Sequence, residues 1–304
     1  MNPLTALPAL RWLIRDTFRQ ARGAGVFQLM LTVSLICVAL CLTATVVEGA
    51  DDEPGHLDVI FGALSIPLDG GRAEAVRTLQ TYLAGWIADA VGLILALTWT
   101  AGFLPSFLDA SAAAVLLVKP IPRWSLLAGK CLGVLAFVAI QDGIFVGGTW
   151  LALGVRTGVW DTTYLLCLPL LLLHFTIFFS FSAMLAVATR STVASVFGSV
   201  LFWLLCWAMN FGRHSLLLIP DLQNAAAGFG HSVEIGYWLL PKPLDCHLVL
   251  LNTLRDDHLL SHAINTNTLA ERGAWQPVAS VLASCACALV LLGLAAYDFV
   301  TAEY

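Results

Sequence analysis

Long apolar runs alternate with short polar breaks along the whole chain, and the runs are longer than a soluble domain's core helices need. Six of them approach the ~20 residues that a hydrocarbon core of about 30 Å requires. They predict spanning helices over roughly 26–47, 82–104, 126–154, 163–188, 193–211 and 277–297. Ahead of the first run, Leu7, Leu10, Ile14 and Phe18 form an apolar stripe at helical spacing. Arg11, Arg15, Arg19 and Arg22 form the stripe beside it. Residues 1–25 therefore read as an interfacial helix, its apolar side in the acyl boundary and its arginines at lipid phosphates. The plainer alternative is a topology signal with no further role. Between the last two runs, 212–276 holds only short apolar pieces (215–219, 233–240, 247–254) broken by Pro220, Pro241 and Pro243. These predict short helices lying on, or dipping into, the membrane surface, where broken backbone needs protein or water around it. The pattern as a whole predicts an all-α polytopic membrane protein with a single transmembrane domain over 1–304.

Composition agrees. The 304 residues are 59% hydrophobic and only 12% charged, with mean hydropathy +0.84. Soluble domains carry about 25% charged residues. A formal net charge of −5 gives no reason to expect nucleic acid. Of eight cysteines, only Cys246 falls in a polar segment; the others lie in apolar runs and act as small hydrophobes, so no disulfide framework is expected. The first apolar run starts near Val26 and is followed by acidic residues, unlike a cleavable signal.

Charge orients the chain. Four arginines precede the first run. Lys119, Arg123 and Lys130 occupy the break between the second and third, and Arg190 the turn between the fourth and fifth. The first long loop is acidic instead, with Glu48, Asp51, Asp52, Glu53, Asp58, Asp69 and Glu74. The positive-inside rule then puts both termini in the cytoplasm and 212–276 outside.

The break at 107–130 reads FLDASAAAVLLVKPIPRWSLLAGK: a short amphipathic segment, a Pro-broken cationic step, and a Gly-Lys entering the next run. Gly129-Lys130 lacks the rest of a phosphate loop, so no nucleotide site is expected in this chain. There is likewise no HExxH and no GxSxG motif. This order of parts resembles a permease subunit of the type-2 ABC exporter family. Members carry an acidic residue followed by an L-L-x-x-P-I-x-R…L-x-G-K stretch. Here Asp109 stands where Glu is common, followed by Leu116, Leu117, Pro120, Ile121, Arg123, Leu127, Gly129 and Lys130. Pro241-Lys242-Pro243-Leu244-Asp245 resembles the N-P-x-D segment that precedes the last span in many members. The likeness covers nearly the whole chain in architecture and about 20 residues in motif.

The resemblance implies six transmembrane helices and a cytoplasmic coupling helix between spans two and three, within 105–125. That helix would seat in a separate cytoplasmic ABC ATPase subunit, with Asp109, Leu116, Leu117, Lys119, Pro120 and Arg123 at the contact. It implies a second permease copy or a sibling chain, a bacterial inner membrane, and no catalysis by this chain. ATP and Mg would be bound by the ATPase. The plain alternative for 107–130 is a positive-inside loop with a proline kink.

Ionisable residues within spans are functional candidates because their burial costs several kcal/mol. Asp142 lies midway along the third run beside Gln141, with His174 or Arg156 as candidate partners. Asp142 and His174 are therefore the candidate transport path. Asp89 falls near the end of its run and is expected to snorkel. His258 and His262, beside Asp256 and Asp257, have helical metal-ligand spacing but lack a third ligand. Trp86, Trp160, Trp238 and Trp275 read as interface anchors. The function expected is that of an ATP-driven exporter's membrane subunit. The rivals are a secondary transporter relaying ions through Asp142, against which no inverted repeat is visible, and a non-transport membrane protein.

Overall fold

The structure, a computed structural model, describes residues 6–23, 25–47, 55–67, 71–108, 123–219, 228, 230–254 and 275–301. Among these residues the chain forms α1 (Ala6–Gly23), α2 (Val26–Leu42), strands β1 (Thr45–Val47), β2 (His56–Val59) and β3 (Leu64–Pro67), and α3 (Arg72–Tyr82). A π-helix (Leu83–Gly92), α4 (Leu93–Thr100) and α5 (Phe103–Leu108) continue α3 as one rod. Then come α6 (Arg123–Thr157), a 3-10 turn (Thr162–Leu166), α7 (Cys167–Thr189), α8 (Thr192–Leu218), α9 (Gly230–Leu239), α10 (Pro243–Thr253) and α11 (Pro277–Thr301).

Five of these helical rods are long and apolar enough to cross a membrane: Arg72–Leu108, Arg123–Thr157, Thr162–Thr189, Thr192–Leu218 and Pro277–Thr301. The bent pair α1 and α2, whose axes meet at 76°, makes a sixth if taken together. The bend is possible because Gly25 takes φ +68°, a left-handed conformation that costs glycine little. Val193, Phe197, Leu201 and Leu205 of α8 lie exposed, as do Val278, Leu282, Leu289 and Val290 of α11. Large apolar side chains along the outside of long helices are what lipid, not water, solvates. The protein is membrane-embedded.

Local chemistry sets the ends. Ser191 caps α8, its hydroxyl accepting from the Ala194 amide at 3.3 Å. Arg190 before it closes α7 in a left-handed conformation, which makes this turn tight. Asp161 caps the 3-10 turn through the Thr163 amide at 2.9 Å.

Three features depart from the sequence expectations. First, the predominantly helical fold also carries a small sheet: β1, β2 and β3 form an antiparallel sheet in order β1-β2-β3, pairing Thr45 with Asp58 and His56 with Pro67. Short alternating strands placed among acidic residues hide in a sequence read for helices. Leu57 and Val59 point from β2 into the bundle and are buried. Consequently the first run, expected over 26–47, ends as a helix at Leu42. Second, the next rod begins at Arg72, ten residues before the expected start, because polar Arg72–Gln80 continues the helix under the sheet. Third, α8 runs seven residues beyond the expected 211, carrying Arg213 and His214 into buried positions.

The apolar interior comes as two clusters. One, toward the sheet, contains Cys37, Leu57, Val76, Ala84, Val146, Leu153, Leu171 and Leu248. The other, toward the 109–122 connector, contains Met30, Leu97, Leu104, Val134, Phe137, Phe175 and Phe178.

Candidate functional site

On four helices the passage from one cluster to the other is marked by polar residues. On α2, Ser34 lies between Met30 and Cys37; on the second rod, Asp89 between Ala84 and Leu93. On α6, Gln141 and Asp142 lie between Val138 and Phe145; on α7, His174 between Leu171 and Phe175. The result is a polar layer across the middle of the bundle. Ser34, Asp89, Gln141 and His174 are all buried, at 3–4% exposure, and Asp142 is half-buried.

Asp89 is the centre of this layer. Its Oδ1 lies 2.5 Å from His174 Nδ1, and its Oδ2 lies 2.9 Å from His247 Nδ1, on α10. One carboxylate thus ties the second rod to α7 and to a short helix. Three features let it do so. The π-helix places Asp89 inward, and such widened turns recur at functional sites. Gly85, one turn earlier, leaves room for His247: a Cβ there would meet His247 Cε1 at 3.0 Å. Trp86 packs edge-on to the His247 ring at 5.9 Å. His174 Nε2 is buried with no hydrogen-bond partner, whereas His247 is the more exposed imidazole.

Asp89 therefore does not snorkel, as its expected place near a helix end implied. The early start of its rod at Arg72 puts it mid-helix. His174 meets Asp89 and not Asp142, and Arg156 donates instead to the Ala44 carbonyl at 3.1 Å. Asp142 has no hydrogen-bond or ion-pair partner among the described residues. It lines a small cavity that Asp89 also lines, with Ala88, Gly92 and Phe175. Gln141 donates to Ser34 Oγ at 2.9 Å, and its other amide atom is buried without a partner. Sequence reading singled out Asp142 and His174 but passed over His247, which lies in the proline-broken region and carries no motif.

A second polar cluster joins α1, α5 and α6. Lys130, 1% exposed, donates to Asp16 at 3.0 Å and Gln20 at 2.9 Å on α1. Gln20 in turn donates to Ser106 on α5. The Lys130 ammonium also lies 5.7 Å from the Phe107 ring centre. On the other side, Arg123 donates to the Val300 carbonyl of α11 at 3.2 Å. The described residues that flank 109–122 are thus tied to α1 and α11.

Asp109, Leu116, Leu117, Lys119 and Pro120 lie outside the described residues, as do His258 and His262. Arg11, Arg15, Arg19 and Arg22 are exposed along α1. The helix does not present only lipid-facing apolar surface, however. Leu13, Thr17 and Ala21 are buried. The α1–α6 contact is close enough that a Cβ on Gly133 would meet Thr17 Oγ1 at 2.6 Å. Phe18 meets Phe137 edge-on at 5.8 Å.

The third polar cluster is the Pro241–Asp245 segment. Asp245 is wholly buried. It accepts from Asn210 at 3.1 Å and from the Tyr237 hydroxyl at 2.5 Å. His214 Nε2 lies 3.1 Å away, off-axis for a hydrogen bond. Asn210 Oδ1 accepts the backbone amides of Leu244 and Asp245 at 3.0 and 3.2 Å. Outside the spans, Glu234 receives Arg213 at 2.8 Å, which holds its carboxyl below the ordinary value.

Among the described residues no group of three or more His, Cys, Asp or Glu side chains is placed to hold a metal ion. No family model matches the chain, and no curated protein matches it.

Proposed function

We propose that the chain is the membrane subunit of an ATP-driven exporter, dimeric and worked by a separate cytoplasmic ATPase. The observation that carries this reading is the tying of the residues that flank 109–122 to α1 and α11. A push on 109–122 would reach Lys130 and Arg123 together, and through them α1, α5, α6 and α11. Such rigid-body coupling of helices is how a motor outside the membrane moves elements within it. The resemblance of 107–130 to the coupling segment of type-2 ABC permeases points the same way. In this reading the chain makes six crossings, α2 being the first, with α1 lying at the cytoplasmic interface. Both termini face the cytoplasm of a bacterial inner membrane, and the sheet, α9 and α10 face outward. Asp109, Leu116, Leu117, Lys119, Pro120 and Arg123 meet the ATPase, which binds ATP and Mg. Arg11, Arg15, Arg19 and Arg22 meet lipid phosphates.

The test is a mild-detergent pull-down of the tagged chain from its native membrane. A stoichiometric ATPase is expected, lost when Lys119 and Arg123 are both changed to Glu. A chain that purifies without nucleotide hydrolysis in any fraction contradicts the proposal. A second reading, an ion-coupled secondary transporter, draws on the Asp89–His174–His247 cluster beside unpaired Asp142, since intramembrane carboxylates and imidazoles form proton relays. It predicts flux driven by a proton gradient without nucleotide.

A further inference from the structure

Beneath the sheet lies a cavity of about 480 Å³, within the range that small-molecule sites occupy. Its walls come from α2 (Cys37, Leu40, Cys41), the sheet (Val59, Leu64, Ile66) and the second rod. Tyr82 and Trp86 in its wall are half-exposed, at 45% and 54%. Apart from hydroxyls and thiols the lining is apolar, and it contains no cation.

A second cavity adjoins this one. Ile87 belongs to the walls of both, the second lying between α2, the π-helix and α6. That second cavity is lined by apolar residues, Ser34, Gln141 and the carboxylate of Asp142. A third, lined by Asp142 and Asp89, follows along the same π-helix. No lysine or arginine lines any of the three. Asp89 has two imidazoles to offset its charge. Asp142 has no counter-ion among the described residues, and a carboxylate left alone at this depth is costly. The neighbouring Gln141 amide, 3% exposed, also has one atom unpartnered.

An apolar chamber adjoining a cavity lined by a carboxylate, with no lysine or arginine in either lining, is complementary to a molecule with an apolar body and a positive charge. We propose that these cavities bind an amphipathic organic cation, its body under the sheet against Trp86 and its charge at Asp142. The two aromatic rings at the chamber favour a cation entering past them. This deepens the reading of the chain as a transport subunit by naming its substrate class.

The experiment uses the full chain alone in nanodiscs, so it reads the site whether or not an ATPase partner exists. Ethidium is titrated by fluorescence anisotropy. Saturable binding is expected, weakened tenfold or more by Asp142→Asn. On the unaltered chain, decylamine should displace ethidium at concentrations where decanol does not. The second measurement stands even if the variant folds poorly. Equal affinity in a folded Asp142→Asn protein, or equal displacement by decanol and decylamine, would overturn the proposal. A failed pull-down with intact ethidium binding would remove the ATPase reading and leave this one.

Discussion

Two aspartates of the bundle, Asp245 wholly buried and Asp142 half-buried, do different work. Asp245 is surrounded: Asn210, Tyr237 and His214 all face its carboxylate, and Asn210 also ties down the backbone that presents it. No cavity of the described set reaches it. Asp142 has no hydrogen-bond or ion-pair partner among the described residues, and it lines two cavities. The first arrangement fixes the backbone of a proline-broken segment, whose Leu244 and Asp245 amides donate to Asn210. The second leaves a carboxyl facing two cavities. A carboxylate saturated by its own protein serves the fold; one that lines cavities is open to the ligand proposed above.

The largest expected effect lies on the saturated side. Replacing Asp245 by Ala removes the common acceptor for Asn210 and Tyr237 and should cost about 3 kcal/mol, since breaking a buried polar network strands its other members. A thermal melt in detergent checks this; an unchanged midpoint would dissolve the contrast with Asp142. Next, Asp89→Asn should cost about 1–2 kcal/mol and loosen α10, because neutral Asn holds His174 and His247 more weakly than the carboxylate does. Hydrogen exchange over Pro243–Thr253 should rise while exchange in α7 changes little.

The smallest effect belongs to a third aspartate, outside the spans. Burial alone would raise the Asp161 carboxyl, but bonds from Thr163 and Arg77 outweigh it and hold it below its ordinary value. A group depressed in the folded state stabilises above its unfolded value, near 3.9, and loses that contribution as pH falls through the folded one. Asp161→Asn should therefore cost only about 0.5 kcal/mol at neutral pH. The difference from wild type should vanish in acid.

The sequence made the bundle legible because apolar length alone identifies helices that lipid must solvate. It also pointed to Asp142 and His174, since mid-run ionisable residues are rare. It misplaced Asp89 because Arg72, Glu74, Arg77 and Gln80 read as a loop, although they extend a helix covered by the sheet. The sheet escaped notice because its strands are only three or four residues long. The Lys130 clamp escaped too. Its partners Asp16 and Gln20 are more than a hundred residues away in sequence, and Lys130 itself looked like part of a docking motif rather than the anchor of the motif to α1.

The most direct measurement of the central claim is ATP hydrolysis in liposomes by the chain with the ATPase subunit proposed for it, compared with Lys130→Met. The account predicts that hydrolysis requires the chain, and that Lys130→Met keeps the ATPase bound but lowers hydrolysis severalfold, because the grip linking connector to bundle is gone. Full hydrolysis in Lys130→Met, or flux through the chain alone under a proton gradient, would contradict it.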